Sequence, residues 1–348
     1  MNDLRKTNPG LARHFLWATN SLPAVSNPLW LHVGCGVNVL SGFLNLDAAP
    51  QDPRVVQWDL LGIWPKELAE RAEGLFSEDC FEHFFYSEQV YILCNINRAM
   101  KTDGVARLLM PSMHRAATDY LSFYRDNPQE FLHPTYGVGT GCDITQYGMR
   151  FTGHRWFHDD QSIRHMGAFC GFDALATNCS TSSLAKFSGL NLRNESNSAS
   201  FATDLRKRRP LDQITLSPIT VKGATKVEEI GPDAALYMSV SPRPTVEYRL
   251  PAPVGSNTIA CINFRSSSLS CFDFGQKTLI FDNINAASPW HFDETLKCQP
   301  AGNIITNGQI KTVIGAGTAI SRMTFSPVMN TGEYFTLGCA EVFTLRSV

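Results

Sequence analysis

Three short runs near the start of the chain carry residue types that could do chemistry. Leu29–Val33 (LWLHV) is an apolar run of the kind that forms a buried strand, and it enters Gly34-Cys35-Gly36. Glycines at that point let the backbone turn tightly, and a ligand can approach the main chain without meeting a Cβ. The run GVNVLSGFLNLD then leads to Asp47, at the end of a second strand over Leu44–Asp47. A carboxylate so placed can accept both hydroxyls of a ribose. The glycine pair, the second strand and its terminal acid together describe a nucleotide-type site. Farther on, Gly137, Gly139 and Gly141 copy a G-x-G-x-G spacing, but no apolar strand precedes them and no helix signal follows. A phosphate loop is not expected there.

The run LHVGCGVNVLSGFLNLD resembles the opening of class I S-adenosylmethionine-dependent methyltransferases, of the type-11 kind that modifies glycans and small molecules. The resemblance continues through VVQWDL, GLFSEDCFEHF, NRAMKTDGVARLLMP and FTGHRWFHDDQSIRHMGAFCGF, and covers residues 29–205. It implies a doubly wound, Rossmann-like α/β domain that binds S-adenosylmethionine and releases S-adenosylhomocysteine. Carried over by position, Gly34, Cys35 and Gly36 would bring backbone against the methionine part of the cofactor. Asp47 would hold the ribose and Asp59 the adenine amino group, with Leu60 packing near the base. Ser77 and Glu78 would line the cleft facing the sulfonium, and His83, on the next helix, would orient its neighbours. The chain departs from the family pattern at His32, where many members carry an acid that helps hold the cofactor's amino group. Asp79 replaces a histidine often found there, and Thr102-Asp103-Gly104 replaces a P-G-G turn that Asp and Gly can still form.

Methyl transfer to a hydroxyl requires donor and acceptor in line and a group to take the proton. An imidazole, with an ordinary pKa of about 6.5, suits that task. The candidates are His114, His154, His158 and His165. His154 is the first choice, because in this family its segment returns across the mouth of the cleft; Asp79 and His114 are the alternates. His158-Asp159-Asp160 could offer oxygen ligands to a metal, or start the helix through QSIRHMGAF. The helix start is preferred, and no metal is expected. The acceptor implied is a sugar hydroxyl in bacterial surface glycan biosynthesis; another small molecule, or a non-catalytic binding scaffold, are the alternatives. Residues 128–150 interrupt the methyltransferase pattern and read as a glycine-rich acceptor lid. Phe131, Tyr136, Tyr147 and Trp156 either stack on a sugar or anchor that lid.

These residues need a scaffold, and the composition supplies one. Of 348 residues 43% are hydrophobic, enough for a sizeable core, which excludes a disordered or coiled-coil chain. The length fits two domains of roughly 150 residues. A net charge of −2 gives no footprint for nucleic acid or an anionic membrane. No apolar run approaches the roughly 18 residues of a transmembrane helix, and the N-terminus lacks a signal-peptide core, so a soluble, cytoplasmic protein is expected. Ten cysteines without a C-x-x-C pair read as reduced, mostly buried thiols. Through residue 209 strands alternate with helical stretches. After Pro210 short runs such as Ala235–Val240, Thr258–Phe264, Lys277–Phe281 and Tyr334–Phe343 alternate with turn clusters. The expected domains are therefore 1–209, the methyltransferase-like part, and 210–348, an all-β sandwich of jelly-roll type. The basic run in residues 204–212 reads as a solvated connector. Trp290 is a loop aromatic suited to carbohydrate; glycan binding, homo-oligomer formation and a structural cap all stay open for the second domain.

Overall fold

The computed structural model describes residues 20–24, 27–84, 86–124, 142–143, 145, 153–175, 177–190, 200–231, 234–254, 258–266, 278–281, 306–314, 320–326 and 331–345. Most of the expected lid, including Phe131, Tyr136, Gly137, Gly139, Gly141 and Tyr147, lies outside the described residues, as does Trp290. The chain divides into two units, Ala18–Pro210 and Leu211–Ser347.

The first unit is built on a seven-stranded sheet in the order β3-β2-β1-β4-β5-β7-β6. Its strands are β1 (Leu29–Val33), β2 (Leu44–Asp47), β3 (Val55–Gln57), β4 (Ala72–Glu78), β5 (Met100–Pro111), β6 (Phe172–Leu175) and β7 (Ser200–Lys207). The first five strands pair in parallel, and β7 runs antiparallel between β5 and β6. Parallel strands are covered on both faces, which is why β1 and β4 are buried nearly throughout. Strand order reverses between β1 and β4, so the crevice beyond their carboxyl ends is where an α/β sheet takes a ligand.

One face of this sheet carries helices. Helix α1 (Tyr86–Ala99) crosses from β4 to β5, and α3 (Asp160–Phe169) precedes β6; a short α2 (Met113–Asp119) follows β5. Asn97 on α1 donates to the carbonyls of Cys170 and Arg209, both at 2.9 Å, and Gly167 on α3 sits so close to Leu205 of β7 that a Cβ would lie 2.9 Å from it. The other face, as far as its residues are described, differs from the expectation of a doubly wound sheet. Among the described residues that face has no α-helix, only a 3-10 turn at Ala185–Phe187, and residues 34–43 pass from β1 to β2 in turns. The cover is the segment 177–190, whose buried Phe187 packs with Phe76, Val105, Leu109 and Ala202, flanked by Trp30 and Phe43. The fold is Rossmann-like α/β, with the described α-helices on one face of the sheet.

The Leu211–Ser347 unit contains two antiparallel sheets. Their described strands are β8 (Leu211–Leu216), β9 (Thr220–Lys222), β10 (Ala224–Gly231), β11 (Ala234–Ser239), β12 (Thr245–Val254), β13 (Thr258–Ser266), β14 (Thr278–Phe281), β15 (Thr306–Ile314), β16 (Ile320–Ser326) and β17 (Tyr334–Leu345). One sheet has the order β10-β11-β17-β13-β15, with β8 also on β17; the other has the order β14-β16-β12-β9. Strand β17 pairs with β11 through Leu337 and with β8 from Ala340 onward. Between these stretches lies Gly338, whose carbonyl accepts a 3.1 Å hydrogen bond from the buried Tyr248 hydroxyl of β12, in the other sheet. No helix among the described residues is long and apolar enough to cross a membrane. The seven described free cysteines include five that are buried.

All strands of the first sheet end by Lys207, so a fragment 1–209 should be soluble and unfold cooperatively by circular dichroism. An unfolded fragment beside a stable full chain would mean that the two units share a core.

Candidate functional site

The carboxyl ends of β1 to β5 gather most of the predicted residues on one edge. Gly34 and Gly36 adopt positive φ angles of 64° and 53°, which L side chains rarely take. Gly34 has a second reason to be glycine: a Cβ there would lie 2.3 Å from the sulfur of Cys80, in the turn after β4. At Gly36 nothing stands within 4 Å of such a Cβ, and this is the open side of the turn. The Gly36 amide donates to Asp47 Oδ2 at 2.8 Å, and Ala49 donates to Oδ1 at 2.9 Å. A carboxylate has roughly four lone-pair sites, so Asp47 fixes the glycine turn and keeps acceptor capacity for a ligand. Cys35 is buried, and burial followed by the charge of Asp47 raises its pKa to about 11, leaving a neutral thiol.

Asp59 follows β3. Asn20, a residue the sequence reading did not pick out, clamps its backbone from both sides, donating to the Asp59 carbonyl at 2.8 Å and accepting from its amide at 2.9 Å. One carboxylate oxygen of Asp59 accepts from the Leu61 amide at 2.9 Å. Leu60 is buried, and its carbonyl accepts from the indole of the buried Trp64.

The other candidate residues stand in varied surroundings. Ser77 is buried within the sheet, its hydroxyl donating to the Val33 carbonyl on β1 at 3.2 Å, rather than facing the cleft. Glu78, on the opposite pleat, is buried as well. His32 is buried, bonded through Nδ1 to Asn45 at 3.0 Å and packed on Phe76; burial lowers its pKa. His114 is exposed on α2, and His165 is exposed on α3. Asp79 sits half-buried at φ 51°, its amide on the Leu109 carbonyl at 3.1 Å. Asp159 caps α3 in a capping box with Ser162, which ends the reading of His158-Asp159-Asp160 as a metal site.

His158 is a scaffold residue, not a base. Gln89 on α1 donates to the carbonyls of Phe81 and Phe84 at 2.8 and 2.9 Å, which fixes its amide and aims its oxygen at His158 Nε2, 2.5 Å away. Nε2 must therefore donate, and Nδ1 accepts from Ser162 at 2.8 Å. Through Gln89, His158 holds the turn Phe81–His83. That turn meets a second segment, because Arg155 and Trp156 both donate backbone N–H groups to the Glu82 carbonyl, at 2.7 and 3.2 Å. The result places His154 beside His83, with ring centroids 4.9 Å apart, and 3.8 Å from a carboxylate oxygen of buried Glu82. His83 lies in a 3-10 turn, not on the next helix. Trp156 is partly exposed and meets Tyr86 edge to face at 5.4 Å.

No protein-family model matches the chain, and neither does any curated protein. Among solved structures the chain is similar to a SAM dependent methyltransferase from Archaeoglobus fulgidus, at 12% identity and TM-score 0.31, covering 59% of this chain and 91% of that one. It is similar to the magnesium protoporphyrin IX methyltransferase from Synechocystis PCC 6803 with bound SAH, at 16% identity and TM-score 0.30, covering 51% and 74%. A third is the Haemonchus contortus phosphoethanolamine N-methyltransferase 2 in complex with S-adenosyl-L-methionine, at 13% identity and TM-score 0.32, covering 58% and 52%. Likenesses this weak carry no weight for activity.

Burial lowers the His158 pKa to about 4. The unfolded chain, with an ordinary histidine, then binds the extra proton between that value and about 6.5, so stability falls as the pH drops through this window. On the order of 2 kcal/mol should be lost from His158 between about pH 7.5 and about pH 5, read by urea unfolding. A His158→Asn variant should be less stable at neutral pH and lack this part of the dependence; an unchanged slope would contradict the assignment.

Proposed function

We propose that the Ala18–Pro210 unit is an S-adenosylmethionine-dependent O-methyltransferase acting on a sugar hydroxyl, in bacterial surface glycan biosynthesis. The observation that carries this reading is the hydrogen bond from Gly36 to Asp47, at the point where strand order reverses. It holds an open glycine turn beside a carboxylate with acceptor sites to spare, as a ribose needs. A pyrophosphate cofactor would instead depend on a helix N-terminus after the glycine turn, and residues 34–43 form none. Asp59, bonded to Leu61 through one oxygen, has the other for an adenine amino group.

The sulfonium activates the methyl group, so the chain must align the acceptor and let its proton leave. The cluster of Glu82, His83 and His154 is assigned to the acceptor side, with His154 nearest the role of proton acceptor. The Trp156 and Tyr86 rings offer apolar faces of the kind that stack on a sugar. His114, exposed on α2, is set aside; Asp79 is kept as the alternate. The second unit is read as a sandwich-type module serving the glycan or a homo-oligomer.

Asp47→Ala should weaken cofactor binding at least tenfold in equilibrium dialysis, since a hydrogen bond to a charged group contributes about 1.5–3 kcal/mol. Asp47→Asn, which keeps an acceptor oxygen, should fall between; unchanged binding in both would remove the ribose assignment. Mass-spectrometric detection of one added methyl over a panel of nucleotide sugars and glycans identifies the acceptor. With that acceptor, His154→Ala should lower turnover by about 10²–10⁴-fold at nearly constant cofactor affinity. Normal turnover in that variant, with a collapse in Asp79→Asn, would move the role to Asp79.

A further inference from the structure

The turn Phe81–His83 and the segment bearing His154 bring three metal-type donors together. The donor atoms of Glu82, His83 and His154 all lie within 4.8 Å of one another. His154 Nε2 and Glu82 Oε1 are 3.8 Å apart. Hydrogen-bonded nitrogen and oxygen lie at about 2.7–3.2 Å. Two ligands held at about 2.1 Å on a tetrahedral ion stand about 3.4 Å from each other. The observed spacing is nearer the second figure.

Groups other than the donors set this geometry. The Arg155 and Trp156 amides fasten the His154 segment to the Glu82 carbonyl, and Gln89, itself held by His158, fastens the carbonyls on either side of Glu82 and His83. Both halves of the cluster are thus positioned before any ion arrives, as metal ligands are in built sites. Glu82 is only 1% exposed, and a carboxylate that deep gains most from a compensating positive charge.

We propose that Glu82, His83 and His154 bind one divalent transition-metal ion of the zinc class. Two imidazole nitrogens with one carboxylate favour such an ion over magnesium or calcium, which prefer oxygen ligands throughout. Three protein ligands leave a coordination position open, the arrangement of reactive rather than structural sites. The acceptor hydroxyl is the group to take that position, a use that rests on the methyltransferase reading; the site itself does not. With the ion bound, His154 would act as a ligand and not as the base, and the ion would lower the hydroxyl's pKa so that its proton could leave to solvent.

The test strips the full chain of metal and titrates it with Zn²⁺, with Co²⁺ as an optical probe. One equivalent should bind, and the Co²⁺ spectrum should show nitrogen and oxygen ligation without thiolate charge-transfer bands. Glu82→Gln, His83→Gln and His154→Gln should each weaken Zn²⁺ binding by at least about 100-fold, beyond the loss typical of supporting residues, with circular dichroism unchanged. No uptake by the wild type, uptake unaffected by all three substitutions, or thiolate bands would each overturn the proposal. If a variant does not fold, the wild-type Co²⁺ spectrum still decides. Zn²⁺ uptake without S-adenosylmethionine binding would remove the methyltransferase reading and keep the metal site; the converse would do the opposite.

Discussion

Arg107 and Asp204 form an ion pair at 3.0 Å with both side chains fully buried, and the form of the first unit depends on it. Burying two charges costs several kcal/mol unless their remaining hydrogen-bonding capacity is met. Here Arg107 also donates to the carbonyls of Asn178, Cys179 and Thr181, and Asp204 accepts from Ser182 and from both the amide and hydroxyl of Ser183. One pair therefore locks β7 beside β5 and lays the segment 177–184 across the sheet. Phe187 follows, and reaches Trp30, Phe43 and Phe76. That face is closed by a loop with an aromatic anchor, so the link from β1 to β2 is relieved of supplying a helix.

The consequence reaches the site. A connection that need not form a helix can spend its backbone on the crevice, and the turn at Gly34–Gly36 does so under the hold of Asp47. Gly34 lies against Cys80, which ties this turn to the one after β4, and that second turn carries Glu82 and His83. The glycine turn and the turn of Glu82 and His83 are thus two ends of one packed assembly along the carboxyl edge. Burial followed by the charge of Glu82 pushes the Cys80 thiol up to about 12, so it serves as neutral packing between them.

The strands were legible because burial writes itself into composition. LWLHV and LNLD form β1 and β2 over the residues read from the sequence, and the run at Tyr334 forms β17. Side-chain direction at strand ends was not legible. Ser77 and Glu78 are adjacent, but the pleat sends them to opposite faces, and only the paired β1 shows that the Ser77 hydroxyl is consumed by Val33. His158 and His154 look alike in sequence; the difference is Gln89, on a distant helix, which engages one of them. The partnership of Glu82 with His154, like that of Arg107 with Asp204, exists only through long-range backbone bonds that leave no trace in local pattern. The cover by 177–190 was hidden for the same reason, since a polar, serine-rich segment gives no sign of lying on a sheet.

The central claim is that the edge at Gly34, Gly36 and Asp47 binds S-adenosylmethionine. Calorimetric titration of the full chain with S-adenosylmethionine and S-adenosylhomocysteine tests it most directly. One saturable site per chain for both compounds, with NAD giving no binding, is the predicted result. Saturable binding of NAD in place of them, or no binding of either compound to a folded chain, would contradict it.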